Sequence, residues 1–247
     1  MEISQAWDEV AEGYDRYFVP RFAPWVKAAV EAVQEPLPPG PILVPCCGTF
    51  PELPDLIRAF PTRKIIGIDL SPGMVRLARE RATPWPQAQV IEGDAATLTP
   101  GTAAAVVSVF GLQQLPDPQA ALTSWAKALL PGGQLSVVYW PSQVETEGPF
   151  ALLAELRGEP PSLRDQDLRE PLTQAGMTAT LQTLAFPMTH PSPQVFWEAM
   201  TTAGPLKALA LRQGPAHMQS LQTAFLTKAP QGPWHHTPQA HHLKAHT

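Results

Sequence analysis

The chain has 247 residues, a formal net charge of -5, 44% hydrophobic and 16% charged residues, 30 prolines and two cysteines. This length and apolar content suffice for a sizeable core, and the prolines occur without the glycine period of collagen or the low apolar content of a disordered chain. The mild negative charge, with no cluster of Lys and Arg, disfavours a nucleic acid or an anionic membrane as a partner.

The N-terminal residues show no basic segment followed by an apolar one, so no secretory signal is expected. The longest weakly polar run, residues 103–112, is much shorter than the about 18 residues that span a bilayer. We therefore expect a soluble, cytoplasmic protein. Cys46 and Cys47 are adjacent, which disfavours a mutual disulfide, and neither has the spacing of a metal ligand, so reduced thiols and no metal are expected.

Residues 1–35 predict two N-terminal amphipathic helices, because their apolar side chains recur at helical spacing. A Pro- and Gly-containing stretch, residues 36–40, then ends the helical pattern. It leads into the apolar run Ile42–Val44, which is typical of a parallel strand covered on both faces.

From residue 40 to residue 187 strands and helices alternate, which predicts an α/β core with a parallel sheet. Two helices have clear starts, Ser71-Pro72 and Asp117-Pro118, and the second is predicted to end at Pro131-Gly132-Gly133. Further strands are predicted at residues 64–69, 89–91, 104–109 and 135–140.

After Trp140 the pattern predicts a helix over 163–175 that ends at Gly176, and a strand over 177–186. Ser192-Pro193 begins a helical segment, residues 192–229, with an interruption at Gly214. No internal repeat or long linker is present, so a single domain over 1–247 is expected.

The turns that follow the strands are the places to search for a site, because ligands of open parallel sheets lie beyond the carboxyl ends of the strands. Those turns are Pro45-Cys46-Cys47-Gly48-Thr49-Phe50, Asp69-Leu70-Ser71, Gly93-Asp94-Ala95 and Phe110-Gly111-Leu112-Gln113-Gln114.

Together these turns resemble those of Rossmann-like (class I) S-adenosylmethionine-dependent methyltransferases, and are similar to the ubiquinone and menaquinone biosynthesis type. The most specific stretches are residues 66–74, IGIDLSPGM, and residues 115–118, LPDP. The resemblance implies a doubly wound, mostly parallel sheet with an antiparallel C-terminal strand, N-terminal helices and a helical lid insertion over 192–229.

The resemblance also implies residue roles toward S-adenosylmethionine. Asp69 would accept hydrogen bonds from the ribose hydroxyls, Asp94 would accept one from the adenine amino group, and the backbone N–H of Ala95 would meet a ring nitrogen. Alternatively, Asp69 stabilises the next helix dipole and Asp94 belongs to a plain turn. The predicted cofactor-binding residues are Cys46, Gly48, Asp69, Leu70, Asp94, Ala95 and Phe110.

The first turn departs from the family pattern Asp-x-Gly-x-Gly-x-Gly. Val44 stands at the acidic position, and Cys46 and Phe50 stand at two of the three glycine positions. Because these side chains add bulk where glycine allows positive φ and close approach, we expect them to narrow or reshape the space near the methionine end of the cofactor. Either the loop keeps its path with Phe50 packed under the next helix, which we favour, or cofactor affinity is reduced.

Methyl transfer needs mainly proximity and orientation, with a base only for weakly acidic acceptors. Tyr14 and His190 are the candidate catalytic residues, with His235 and His236 as further candidate bases; each of the first two has an alternative as a packing or solvent-facing residue. Residues 234–247 are rich in histidine and are interpreted as a last strand, a polar tail or a metal-binding cluster.

The predicted function is therefore S-adenosylmethionine-dependent methylation of a small, apolar or aromatic acceptor. Four apolar side chains of the lid suit such an acceptor or simply belong to the core: Phe196, Trp197, Met200 and Met218. The alternatives are a non-enzymatic protein that binds adenosyl ligands and, less favoured because only one glycine is present, a nicotinamide-dependent oxidoreductase with Asp69 on the ribose.

Overall fold

A computed structural model describes residues 3–158, 167–204 and 206–247. Its helices are α1 Ile3–Tyr17, α2 Val19–Glu31, α3 Leu53–Ala59, α4 Pro72–Ala82, α5 Pro118–Ala128, α6 Pro149–Arg157, α7 Arg169–Gln174, α8 Pro193–Thr202 and α9 Leu206–Lys228. Its strands are β1 Ile42–Pro45, β2 Ile65–Asp69, β3 Ala88–Glu92, β4 Ala103–Val109, β5 Leu129–Tyr139, β6 Thr178–Ala185, β7 Met188–His190, β8 Trp234–His236 and β9 Gln239–His246.

Seven strands form one sheet in the order β3-β2-β1-β4-β5-β9-β6. Strands β1 to β5 pair in parallel, and β9 runs antiparallel between β5 and β6. The chain order reverses between β1 and β4, which places a topological switch point at the carboxyl ends of these two strands. This architecture confirms the predicted fold class.

The predicted helix starts are confirmed by side-chain caps. The Ser71 hydroxyl accepts a hydrogen bond from the Met74 backbone N–H at 3.2 Å, and an Asp117 carboxylate oxygen accepts one from Ala120 at 2.9 Å. A proline follows each cap, where its missing N–H removes no helical hydrogen bond.

Helix α5 ends earlier than the sequence predicts. It stops at Ala128, and β5 already begins at Leu129, with a register irregularity opposite Ala103 and Ala105. Pro131-Gly132-Gly133 therefore lies within the bulged start of β5 rather than at the helix end. The backbone of Gly132 has φ 81°, which glycine adopts without a steric penalty.

Helix α6 and strand β7 were not predicted. Strand β8 lies within residues 234–247, for which one last strand was among the interpretations, and it pairs antiparallel with β7 as a separate ribbon. Of the predicted helix over 163–175, residues 163–166 lie outside the described residues, and the described helix is α7. Pro205 also lies outside them, and the following helical segment is broken at Gly214, as predicted, where φ is 78° and ψ is 173°.

The C-terminal strand is confirmed. Strand β9 pairs with β5 from Gln134 opposite His246 to Tyr139 opposite His241, and it pairs with β6 along its other edge. His242 is buried within it, and its Nε2 lies 2.9 Å from the Ser136 hydroxyl. At least this histidine therefore lies within the sheet and not in a free tail.

No residue of the helical segment over 192–229 that the structure covers is among the lining of the cavity described below. Its four apolar side chains, Phe196, Trp197, Met200 and Met218, are buried in the main hydrophobic core. Helices α8 and α9 instead pack against α1, and Lys207 forms an ion pair with Glu9 at 2.9 Å. The segment therefore supports α1. Among the described residues, no helix combines the length and apolar character required to cross a membrane.

Candidate cofactor-binding site

A cavity of about 720 Å³ lies at the carboxyl ends of β1, β2 and β4. Its volume is within the range usual for small-molecule sites. The lining residues are Trp7, Tyr14, Cys46, Cys47, Gly48, Thr49, Pro51, Glu52, Asp69, Leu70, Ser71, Met74, Asp94, Ala95, Ala96, Thr97, Val109, Phe110, Gly111, Gln114, Leu115, Pro116, Asp117, Ala120 and Ala121. All four turns singled out in the sequence therefore contribute to one cavity.

The loop after β1 keeps a glycine-like path without the glycines. Cys46, Gly48 and Phe50 have φ of 54°, 53° and 64°, all in the left-handed region. For a residue other than glycine this conformation costs roughly 1–2 kcal/mol. The surrounding structure therefore holds the loop in this shape, which agrees with the explanation we favoured from the sequence.

Phe50 does not narrow the cavity, because its side chain packs away from it, as the favoured explanation implies. Its ring is fully buried in the main core, and it is not among the lining residues. A Cβ added to Gly67 on β2 would lie 2.9 Å from the Phe50 ring and equally close to the Cys47 sulfur. Phe50 thus packs on β2, in space that the missing side chain of Gly67 leaves open.

Cys46 does line the cavity and packs against the turn after β4. A Cβ on Gly111 would lie 2.4 Å from the Cys46 Cβ. The two turns therefore touch at this point, and a side chain at position 111 would clash with Cys46. Both cysteines are free thiols. Burial, followed by nearby carboxylates such as Asp69, raises the pKa of both thiols. They are therefore protonated at neutral pH and poor nucleophiles.

Asp69 ends β2 with both carboxylate oxygens facing backbone donors. Oδ2 accepts a hydrogen bond from Gly48 at 2.8 Å, and Oδ1 accepts one from Ser71 at 3.0 Å. Burial raises the pKa of Asp69, while these hydrogen bonds oppose that shift. Because each oxygen has a second lone pair, the carboxylate can still accept hydrogen bonds from a ligand in the cavity.

Asp94 follows β3 and is exposed at the edge of the same cavity. Its Oδ1 accepts a hydrogen bond from the Ala96 backbone N–H at 2.8 Å, so the turn geometry given as its alternative is present. Buried Ala95 is fixed by Trp125, whose indole N–H donates to the Ala95 carbonyl oxygen at 2.7 Å. Asp94 is exposed and therefore remains accessible to a ligand while it makes this hydrogen bond.

Two predicted cofactor-binding residues with apolar side chains, Leu70 and Phe110, also line the cavity, together with Met74. Leu70 is 56% exposed at the cavity mouth, and Met74 is buried at the start of α4. Phe110 has φ 57° and stacks on Trp140 with the ring centroids 4.1 Å apart. Phe110 therefore separates the cavity from a large aromatic cluster behind it.

Helix α1 forms one wall of the cavity and is held there by two acidic residues. An Asp8 oxygen accepts hydrogen bonds from the Ser71 hydroxyl at 2.5 Å and from the Gly73 backbone at 3.0 Å. An Asp15 oxygen accepts from the Thr49 hydroxyl at 2.5 Å and from Arg81 at 2.7 Å. These contacts attach α1 to both turns of the cofactor region.

Tyr14 lies in the cavity wall as the sequence suggests. Burial, and then the carboxylates of Glu52, Asp69 and Asp15, raise the pKa of its hydroxyl. The hydroxyl is therefore protonated at neutral pH. This favours a hydrogen-bond donor rather than a base.

His190 lies outside the lining of this cavity and is fully buried, not solvent-facing. Its Nδ1 is 2.8 Å from the Tyr17 hydroxyl, and its Nε2 is 3.0 Å from Nε2 of His236. Burial lowers the pKa of His190 to about 3, so it is neutral at pH 7. His236 is in turn 2.7 Å from Glu145, and His235 contacts Thr189. In the described residues, no group of three metal-ligating side chains converges.

Glu52 is a lining residue that the sequence did not indicate. It is 1% exposed, and its position just before α3 carries no motif by which sequence could have identified it. Within the described residues, its Oε2 has no hydrogen-bond partner.

The fold and the four turns at the cavity are those expected for a class I, Rossmann-like methyltransferase domain. Residues 42–133, which contain all four turns, match the family model described as "Methyltransferase domain". This match confirms for the core of the chain the family resemblance drawn from the sequence.

Among curated proteins, the chain is 29% identical over 122 residues to 2-phytyl-1,4-naphtoquinone methyltransferase of Thermosynechococcus vestitus, covering 46% of this chain and 52% of that protein. It is 34% identical to trans-aconitate 2-methyltransferase of Methylobacterium nodulans, covering 47% and 43%. It is 32% identical to demethylmenaquinone methyltransferase of Staphylococcus aureus, covering 36% and 39%. The chain thus spans about half or less of the length of these relatives.

Solved structures agree on the fold over a larger part of the chain. The YcgJ protein of Bacillus subtilis matches with a TM-score of 0.58 and 15% identity, over 89% of this chain and 96% of that one. The [4+2]-cyclase SpnF matches with the same TM-score and 18% identity, over 91% and 80%. At such identities the likeness concerns the fold.

Proposed function

We propose that this protein transfers a methyl group from S-adenosylmethionine to a small, apolar or aromatic acceptor. The observation that carries the proposal is the placement of Asp69 and Asp94 at two adjacent strand ends on one cavity, beside a loop with a glycine-like path. The match of residues 42–133 to a methyltransferase domain supports it.

The lining residues fit such a cofactor. Asp69 would hold the ribose hydroxyls, Asp94 and the Ala95 backbone would hold the adenine, and Leu70 and Met74 would contact its faces. When bound, S-adenosylmethionine supplies a methyl group on a positively charged sulfur. The protein contributes position, orientation and exclusion of water, through the wall that α1 forms.

The acceptor is proposed from the charge of the lining. The described lining residues include four carboxyl side chains and no Lys or Arg, which disfavours an acidic acceptor such as the trans-aconitate named for one relative. Trp7, Tyr14 and Phe110 offer aromatic surface instead. The names of the two quinone-related relatives agree with a flat, apolar acceptor.

Tyr14 is proposed as a hydrogen-bond donor that positions the ligands. His190 has too low a pKa, about 3, to act as an effective base near neutral pH, and it lies outside the cavity lining. The proposed reaction therefore uses no strong protein base at these two positions.

The proposal is tested first by calorimetric titration of the full chain with S-adenosylhomocysteine. We expect binding in the micromolar range or tighter for the unaltered chain, and an at least tenfold weaker affinity for Asp69→Asn, because a charge-assisted hydrogen bond is worth roughly 1.5–3 kcal/mol. The matched control is Asp55→Asn, a half-buried residue outside the cavity lining that is paired with Arg58; this change should leave the affinity unchanged.

Activity is measured as transfer of an isotope-labelled methyl group from S-adenosylmethionine. Naphthoquinols and simple phenols are offered as aromatic acceptors, and trans-aconitate as an acidic one. Labelling of an aromatic acceptor is expected. Absence of S-adenosylhomocysteine binding at millimolar concentration would refute the methyltransferase proposal, and preferential labelling of trans-aconitate would refute the proposed acceptor class.

A further inference from the structure

A buried carboxyl group at the loop end of the cavity has no role in the site described so far. Glu52 is 1% exposed and lines the cavity, and its Oε2 lacks a hydrogen-bond partner among the residues that the structure describes. Buried polar atoms are nearly always paired, because an unpaired one loses its hydration without compensation. An unpaired carboxyl oxygen on the wall of a ligand cavity indicates a polar partner on the ligand.

The surroundings of Glu52 favour a positively charged donor. The neighbouring ionisable groups are Tyr14 from α1, Cys47 from the loop, Asp69 from β2 and Arg81 from α4. Arg81 is already engaged by Asp15 and Thr49. Asp69 adds negative charge on the cavity side, so a cation there would gain from both carboxylates.

The loop explains why a carboxylate is needed at this place. In the family pattern an acidic residue stands at the position of Val44, where it commonly supports the loop and, through it, the amino group of the cofactor's methionine part. Val44 is fully buried and apolar here. Glu52 lies at the other end of the same loop, four residues after Gly48, and it reaches the same cavity.

We propose that Glu52 accepts a hydrogen bond from the amino group of the methionine part of S-adenosylmethionine, so that its carboxylate serves in place of the one absent at position 44. This inference rests on the proposed function and assigns the end of the cavity where the amino acid part of the cofactor binds. The carboxylate of Asp69 remains for the ribose.

Formation of this contact is coupled to the loss of a proton from Glu52. Burial raises the pKa of Glu52 to about 8 in the ligand-free protein, while Arg81 opposes that shift and Asp69 adds to it. Glu52 is therefore mostly protonated at pH 7. An ammonium group beside it favours the ionised form, so binding at pH 7 is accompanied by proton release.

The test compares two ligands on two proteins. Calorimetry measures the dissociation constants of S-adenosylhomocysteine and of its analogue without the amino group, S-adenosyl-4-thiobutyric acid, for the unaltered chain and for Glu52→Gln. We expect the unaltered chain to prefer S-adenosylhomocysteine by about tenfold or more, and Glu52→Gln to lose this preference by weakening that ligand alone. Titration in two buffers of different ionisation enthalpy should detect proton release that disappears in Glu52→Gln.

Each outcome has a distinct meaning. If the unaltered chain binds neither ligand, the proposed function fails, and this inference fails with it. If it binds both and Glu52→Gln keeps the same preference, or weakens both ligands equally, the role of Glu52 alone is refuted. Glu52→Gln is expected to fold, because the amide resembles the protonated carboxyl group of the ligand-free protein; Glu31→Gln, an exposed residue on α2, is the matched control.

Discussion

Cys46 and Phe50 hold backbone angles that glycine would adopt at little cost. Each spends roughly 1–2 kcal/mol in the left-handed region, and each has a different compensation. Phe50 buries a whole ring against Gly67, which is worth a few kcal/mol. Cys46 is only partly buried, so its strain is less well compensated.

The strain at Cys46 can be measured with two small substitutions. Cys46→Ala keeps a Cβ in the left-handed conformation, whereas Cys46→Gly removes it. We expect Cys46→Gly to be more stable than Cys46→Ala by about 1 kcal/mol, because the relief of strain exceeds the entropy that glycine adds to the unfolded chain. Urea denaturation of both variants measures the difference in the free energy of unfolding; equal stabilities would contradict the left-handed conformation.

At the level of single residues, the sequence predicted the cavity residues whose position follows from a strand-turn pattern. Asp69 and Asp94 were located because each follows a strand at the edge where ligands bind. Glu52 was missed because its significance depends on burial and on a missing partner, neither of which is visible in the sequence. The contact of the Phe50 ring with β2 was also missed, because it depends on the space above Gly67 on another strand.

The ribbon of β7 and β8 carries a hydrogen-bonded chain from α1 to α6. Glu145 Oε1 accepts from the Phe150 backbone at 2.7 Å at the start of α6, and its Oε2 accepts from Nδ1 of His236 at 2.7 Å. Nε2 of His236 lies 3.0 Å from Nε2 of His190, whose Nδ1 lies 2.8 Å from the Tyr17 hydroxyl. Each of these polar groups thus has a hydrogen-bond partner.

This series of hydrogen bonds predicts that the folded protein loses stability in acid. The pKa of His190 is lowered to about 3 by burial, against 6.5 in the unfolded chain. The unfolded state therefore takes up a proton as pH falls below 6.5, whereas the folded state does so only near pH 3, so His190 favours unfolding increasingly over that window. We expect His190→Gln to be less stable than the unaltered chain by about 1–3 kcal/mol at pH 7, because partners are left unpaired, and the difference to shrink toward pH 4.

Urea denaturation between pH 7 and pH 4 measures this difference. The control is His235→Gln, on the partner strand β8 of the same ribbon but exposed, for which we expect little change at any pH. Burial also lowers the pKa of His242, to about 4. Its contribution to the pH dependence of stability is present in all three proteins and therefore cancels in the differences between them. A constant gap between His190→Gln and the unaltered chain would contradict the assignment.

Elements with local signals were predicted, and those that depend on distant partners were not. Ser71-Pro72 predicted the start of α4, and the structure shows the Ser71 side chain capping that helix. Strand β7 has only three residues and exists because it pairs with β8, in which His235, 46 residues further along the chain, lies opposite Thr189. The cap of α6 comes from Glu145, five residues before the Phe150 N–H that it accepts from, outside the usual capping positions.

For the molecule as a whole, the position of β9 decides whether the sheet is complete. It fills the space between β5 and β6 with hydrogen bonds on both edges. Leu243 is fully buried in the second hydrophobic core, with Leu135 and Val137 of β5, whereas the adjacent Lys244 is only half-buried on the other face.

This register predicts opposite outcomes for two neighbouring substitutions. Leu243→Asp places a charge in the core and should destabilise the fold by more than about 4 kcal/mol, so that the protein no longer unfolds cooperatively. Lys244→Asp should cost about 1 kcal/mol or less. Thermal unfolding followed by circular dichroism separates the two cases; equal melting temperatures would contradict the insertion of β9 in this register.

The inserted strand also has a consequence for protein synthesis. Strand β6 ends at Ala185 and β9 begins at Gln239, so more than fifty residues leave the ribosome between the two. The parallel strands β1 to β5 can assemble early, but β5 and β6 each keep an open edge until β9 emerges. The nascent chain must therefore protect these two edges from aggregation during translation, and the sheet closes in a late, non-local step.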